Sequence, residues 1–287
     1  MSPLFQLLWG DPDRAGSVAA ALDDGAWRAV NRQAAQHRLR PLLHDRATMG
    51  GWAMPEWLAH DWAVSHRRSA MRALRQRVEL VRIAQAFAPH GLGAVVLKGG
   101  AFVWRDGHDP ALRPLRDLDL LIPEGQAAQA AAILTSLGYV AGAEAHDEHA
   151  KHLPPMTARN VTVELHLHLL DTHDPAAAAR EAAFIARFRD RTGPCPIAPG
   201  LDIPAGSDTL LHLIVHAVLD HQFNNGPLLI ADMAGLIEAG RIDWSTFWAE
   251  AEALNCVRAC QLALTMGEAA AGLPVDWQHH RRSEERR

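Results

Sequence analysis

The chain has 287 residues, 48% of them hydrophobic and 21% charged, with a net charge of −5 and three cysteines. That balance excludes a disordered chain, a disulfide-stapled secreted module and a nucleic-acid binder working through overall positive charge. No apolar run approaches the roughly 18 residues of a membrane span, and the opening MSPLFQLLWGDPDR carries no basic leader, so a cytoplasmic protein away from membranes is expected.

Residues 1–88 read as helical. Asp24 or Gly25 starts a helix through Trp27, Val30 and Ala34, and a longer one runs from first-turn Pro55 to Phe87. On the longer helix Met71, Leu74, Val78 and Val81 recur at three- and four-residue steps as an apolar stripe. It also carries Arg67, Arg68, Arg72, Arg75, Arg77 and Arg82 with only Glu79 opposing. A solvated face is the plain reading of that run; a surface attracting a triphosphate or an RNA acceptor is the sharper one.

Residues 89–172 change character. Ala94 to Leu97 is a short buried-strand signal, and Asp117 to Ile122 alternates acids with apolar residues as a second strand. Gln126 to Leu137 is helical and stops at Gly138. Arg159-Asn160 is a hairpin turn before Val161 to Leu169, where Val163, Leu165 and Leu167 oppose Glu164, His166 and His168. Residues 173–287 return to helix: one capped by Ser207 or Asp208, then Pro227 to Ala239, Asp243 to Leu254 and Cys256 to Ala271. Thr192 to Pro204 reads as a linker, Cys256 and Cys260 as core residues, and the HHRRSEERR tail as frayed.

The chemistry concentrates in residues 97–123. Asp117 and Asp119 leave the same face of one strand, ~7 Å apart, which suits a hard divalent cation with room for phosphate oxygens. Lys98-Gly99-Gly100 ends a strand and opens a helix, where glycines let backbone N–H groups approach an anion. Glu164 is the candidate third acid, to bind metal or accept a proton.

The motifs Lys98-Gly99-Gly100, Arg113-x-x-x-Asp117-Leu118-Asp119 and Val163-Glu164-Leu165-His166 resemble the signature of the DNA polymerase beta-like nucleotidyltransferases. More narrowly they resemble the superfamily's uncharacterised bacterial branch, with partial likeness to abortive-infection-type nucleotidyltransferase toxins. Leu211 to His216 and Asp232 in LLIADMAGLI resemble the branch's helical region. The resemblance implies an α+β fold: a small mixed β-sheet core over 89–172 between helical regions over 1–88 and 173–287. It implies an NTP, ATP included, with Mg²⁺ or Mn²⁺, and transfer of the nucleotidyl group to a hydroxyl-type acceptor with release of pyrophosphate. Asp117, Asp119 and Glu164 would hold the metal, and Lys98, Gly99, Gly100 and Arg113 the phosphates. Ala101 departs from the toxins, where Ser or Thr often follows the glycines. The acceptor stays open: a tRNA end, a protein or peptide, or a small molecule.

Two other readings compete. A zinc-dependent hydrolase would use Glu164, His166 and His168, with His146, His149 and His152 in reserve; against it, His166 orients Glu164 or packs against the helices. A non-catalytic relative would only bind nucleotide or a partner. His212 and His216, one helical turn apart, read as buried and hydrogen-bonded rather than chelating.

Overall fold

The structure, a computed structural model, describes residues 2–104, 109–142, 151–171, 174–224 and 226–278. His146, His149 and the tail at 279–287 lie outside the described residues.

Five helices come first: α1 (Pro3–Trp9), α2 (Pro12–Ala21), α3 (Asp24–Gln36), α4 (Arg40–Gly50) and α5 (Glu56–Phe87). Asp11 and Asp23 cap α2 and α3 by accepting the N–H groups of Arg14 and Ala26. Leu7, Leu8, Trp27, Leu43, Leu58 and Trp62 close an apolar cluster among them. Helix α5 leaves this cluster after Trp62 and enters the main core through Ala73, Leu80, Ile83 and Phe87.

Of the stripe read on α5, only Val81 packs against the core. Met71, Leu74 and Val78 are 54%, 57% and 57% exposed. The buried face lies a step round the helix and includes Ser69, Ala73, Gln76 and Glu79. Periodicity alone could not find it, because its polar members are inside for tertiary reasons. Glu79 receives Nε and Nη2 of Arg159 and the Tyr139 hydroxyl, which satisfies an otherwise costly buried charge.

Among the described residues the sheet has seven strands, β1 (Ala94–Val96), β2 (Asp117–Leu121), β3 (Val140–Ala141), β4 (Met156–Ala158), β5 (Val161–His166), β6 (Gly193–Pro194) and β7 (Leu201–Ile203), in the order β3-β4-β5-β2-β1-β7-β6. It is mixed: β2 pairs parallel with β5 and antiparallel with β1, which pairs parallel with β7. Arg159 and Asn160 form the β4–β5 turn with φ of 49° and 61°, the two positive values of a type I′ hairpin. The predicted linker at 192–204 is instead the β6–β7 ribbon on the sheet edge. Of its prolines, Pro194 sits on the edge strand β6, where a missing N–H costs no ladder bond.

Helices α6 (Lys98–Val103), α7 (Ala127–Ser136) and α8 (Pro175–Asp190) pack with the sheet, and α9 (Gly206–Val215), α10 (Leu228–Glu238), α11 (Trp244–Ala253) and α12 (Val257–Ala271) complete the core. Every residue of α9 is buried. Neither residue expected to cap it does so. Ser207 exchanges hydrogen bonds with the backbone of Asp243, and Asp208 takes a two-pronged ion pair from Arg191. A π-helical turn, His216–Asp220, extends α9. Cys195, Cys256 and Cys260 are all buried, and none forms a disulfide among the described residues.

Candidate active site

The parallel pairing of β2 with β5 builds the site. Asp117 lies opposite Thr162, Asp119 opposite Glu164 and Leu121 opposite His166. Partners in register share a face, so Asp117, Asp119, Glu164 and His166 emerge on the same side. Asp117, Asp119 and Glu164 border a cavity of about 570 Å³ that Lys98, Gly99, Arg113, His152, His216 and Asp220 also line, among others, while His166 is buried.

Lys98 Nζ donates to Asp119 Oδ1 at 2.7 Å and stands 4.0 Å from Glu164 Oε2. His166 Nε2–H donates to the same Asp119 oxygen at 2.8 Å and lies 3.4 Å from Glu164 Oε2. Lys98 achieves its reach from a left-handed backbone, φ 50°, a conformation that costs a non-glycine residue of order 1 kcal/mol.

These contacts sort the acids. Burial pushes Asp119 up, but Lys98 and His166 hold its carboxyl well below the usual range. The His166 hydrogen bond likewise lowers Glu164, against burial and repulsion from Asp119. Burial lowers Lys98 and His166, and the carboxylates outweigh it, so both bases end above their ordinary values. Asp117 is the exception: burial, then Asp119 and Glu164, push it up to about 6. It is the acid whose charge the protein itself leaves least compensated.

Asp119, Glu164 and His166 bring three potential ligand atoms within 4.8 Å of one another, with Asp117 beside them on the strand. The carboxylates supply the hard oxygen donors that a divalent cation takes, and burial together with the neighbouring acids raises Asp117.

The two glycines divide. Gly99 lines the cavity, and a Cβ there would stand 2.7 Å from Arg113 Nη1. Gly100 is buried behind it, where a Cβ would meet Val96 Cγ1 at 2.8 Å; its place is a packing contact with β1. Arg113 is tied two-pronged to Asp232 on α10, Nε to Oδ1 at 3.0 Å and Nη2 to Oδ2 at 2.7 Å. His168 does not join the acids. It is half-buried, its Nδ1 3.8 Å from Glu181 Oε2, so the zinc set of Glu164, His166 and His168 is not brought together.

A family model described as uncharacterised nucleotidyltransferase matches residues 23–272. The chain belongs to that family. It is accordingly a transferase of nucleotidyl groups, with a mixed α+β fold. No curated protein matches the chain. Among solved structures, the solution structure of the antibiotic-resistance factor ANT(2'')-Ia is similar at 12% identity and a TM-score of 0.43, covering 68% of this chain and 97% of its own.

The cavity wall also holds residues that the sequence reading did not assign to the site. Arg38, at the end of α3, lines the cavity with φ 59°. Burial, then the nearby charges of Arg113 and Arg116, bring its pKa down to about 10. Across the cavity Lys151 Nζ meets Asp220 Oδ2 at 2.6 Å and Asp171 Oδ2 at 3.5 Å. His216 Nδ1 donates to Asp220 at 2.9 Å. Burial holds His216 below its usual value, and His212, deeper still, well below. The π-helical turn carries the His216–Asp220 pair, and both residues line the cavity.

Proposed function

We propose that this nucleotidyltransferase moves a nucleoside monophosphate from an NTP to an acceptor hydroxyl, with Mg²⁺ or Mn²⁺. The observation that carries the reading is the set of Asp117, Asp119 and Glu164 on paired parallel strands, facing one cavity with Lys98 among them. Asp117, Asp119 and Glu164 would hold the metal, which when bound supplies charge neutralisation for the phosphates.

The chain's own residues do the rest. Lys98, the Gly99 backbone and Arg113 line the path of the NTP phosphates, and Asp232 fixes the Arg113 fork. The acceptor oxygen attacks the α-phosphorus in line. The bond from that phosphorus to the bridging oxygen breaks, and pyrophosphate leaves with the electron pair. Glu164, ionised and oriented by His166, accepts the acceptor's proton. Three regions share the work: 1–88 contributes Arg38, 89–172 the acids and Lys98, and 173–287 Asp232 and the His216–Asp220 pair.

Incubation of the full chain with each α-³²P-labelled NTP, Mg²⁺ and a cell extract tests this. Label should move into an acceptor fraction with the intact protein and not with the Asp117→Ala/Asp119→Ala variant. Equal labelling by both would sink the reading.

A further inference from the structure

A second cleft, about 240 Å³ in volume, opens beside the reaction cavity between the α3–α4 corner and α5. Arg38 lines both spaces. Arg40, Arg68 and Arg72 line the cleft too, and no carboxylate is among its described lining residues. Arg40 is engaged with Asp61 at 3.2 Å, and Arg72 Nη1 reaches the Leu115 carbonyl at 3.5 Å. Neither Arg38 nor Arg68 has an ion pair among the described residues. Ser69, only 6% exposed, also lines the cleft, and its buried Oγ has no hydrogen-bond partner among the described residues. Arg38 and Arg68 thus face one small volume that holds no carboxylate, beside a buried Ser69 hydroxyl left without a partner, and an unmet buried polar group of that kind is costly.

The backbone points the same way. Helix α3 ends with Arg38 N–H bonded to the Ala35 carbonyl and Leu39 N–H to the Ala34 carbonyl, the Schellman arrangement whose left-handed position favours glycine. Here an arginine occupies it and is delivered to the junction of the two spaces. A shallower hollow lined by Arg67, Met71 and Arg75 shares Arg68 and Arg72 with the cleft, again without an acid.

We propose that the cleft of Arg38, Arg68, Arg72 and Ser69 binds a phosphate group of the acceptor, making the acceptor a phosphate-bearing molecule that reaches the reaction cavity past Arg38. Guanidinium forks match phosphate oxygens, and the volume is below the roughly 300 Å³ at which ordinary ligand pockets begin, so it suits one phosphate and its ester rather than a whole nucleotide. The acceptor part of this inference rests on the nucleotidyl-transfer reading above.

The test is calorimetric titration of the full chain, its reaction cavity first saturated with Mg²⁺ and a non-hydrolysable ATP analogue, with inorganic phosphate, acetate and a short single-stranded RNA as probes. One phosphate should bind per chain and acetate should not compete. Arg68→Ala and Arg38→Gly should each weaken phosphate about tenfold or more, a change of about 1.4 kcal/mol, and Arg68→Lys should recover part of it. Arg38→Gly suits the left-handed backbone, so its Tm should hold or rise, separating lost binding from lost fold. Phosphate binding indifferent to both variants, or matched by acetate, would overturn the proposal.

RNA binding far tighter than phosphate, salt-sensitive and weakened by Arg67→Ala and Arg75→Ala, would assign the phosphate to a nucleic-acid backbone. Comparable affinities would assign it to a small phosphorylated molecule. The Asp117→Ala/Asp119→Ala protein should keep its phosphate affinity. If no acceptor is ever labelled but this binding persists, the transfer reading fails and the anion cleft stands. If label transfer proceeds but Arg68 and Arg38 are immaterial to phosphate, only the cleft proposal fails.

Discussion

Arg113 and Asp232 join across 119 positions of sequence through two nearly parallel hydrogen bonds of 3.0 and 2.7 Å. The pair clamps α10 onto the loop that leads into β2, and so fixes the entry to the strand that bears the acids. Asp232 is 2% exposed. Arg113→Ala strands it as an unpaired buried charge, which costs about 3 to 5 kcal/mol. Removing both partners should cost clearly less than the sum of the single changes, since neither charge is then left alone. Urea unfolding of Arg113→Ala, Asp232→Ala and the double variant would show this; simple additivity would mean that the pair does not act as a clamp.

Asp117 carries the opposite kind of prediction. Its folded pKa of about 6 stands above the ordinary 3.8. The ionised carboxylate is therefore disfavoured in the fold. Stability is fully present below the unfolded value and is lost as pH rises toward and through 6, by roughly 3 kcal/mol for a shift of this size. Asp117→Asn should remove that loss, raising Tm at pH 8 in EDTA while abolishing transfer. Mg²⁺ should raise the wild-type Tm at pH 8 and do little for the variant. A variant no more stable than wild type in EDTA would contradict the charge crowding seen among these acids.

Much of this site was legible in the sequence, for a physical reason. Asp117, Asp119 and Glu164 stand on strands, and a strand's period of two assigns faces without knowledge of the partner. The type I′ turn at Arg159-Asn160 is similarly local. The rest depended on what packs against what. Met71, Leu74 and Val78 form a genuine helical stripe, yet α5 turns Ala73, Gln76 and Glu79 inward because Arg159, Tyr139 and the Leu115 carbonyl are there to receive the polar ones. Pro and Gly at 192–204 mark an edge ribbon as readily as a linker. Arg38 gives no sequence signal at all: its position matters only once α3 has ended beside a cavity whose acids, Asp117, Asp119 and Glu164, lie 79 to 126 residues further along the chain.

Glu79 supplies a test of that inward-turned face. Arg159 lowers its pKa most, Tyr139 adds to this, and burial opposes. With a depressed folded pKa, the stability it contributes is present above the unfolded value near 4.5 and is lost as pH falls through the folded value. Glu79→Gln should therefore be destabilised by about 1 to 3 kcal/mol at pH 7, with the gap to wild type narrowing as pH drops below about 4.5. Denaturant midpoints measured across that range would reveal it. A gap independent of pH would indicate lost packing in place of the ion pair.

Lys98 holds the position from which a built-in cation and an added one would compete. Its ammonium donates to Asp119 at 2.7 Å and stands 4.0 Å from Glu164, with the backbone at φ 50° keeping it there. Neutralising it with Lys98→Met leaves the acids more strongly negative, so a divalent cation should half-saturate the protein at lower concentration. The same change removes positive charge from the phosphate path, and loss of a preorganised group of this kind lowers the rate about 100-fold. Tighter metal and slower transfer together are the expected signature. It separates a lysine that acts on phosphate from one that merely fills the metal's place, since the latter would give tighter metal with transfer preserved. Titrating Mn²⁺ by its effect on Tm, alongside label transfer at saturating metal, reads both quantities from one preparation.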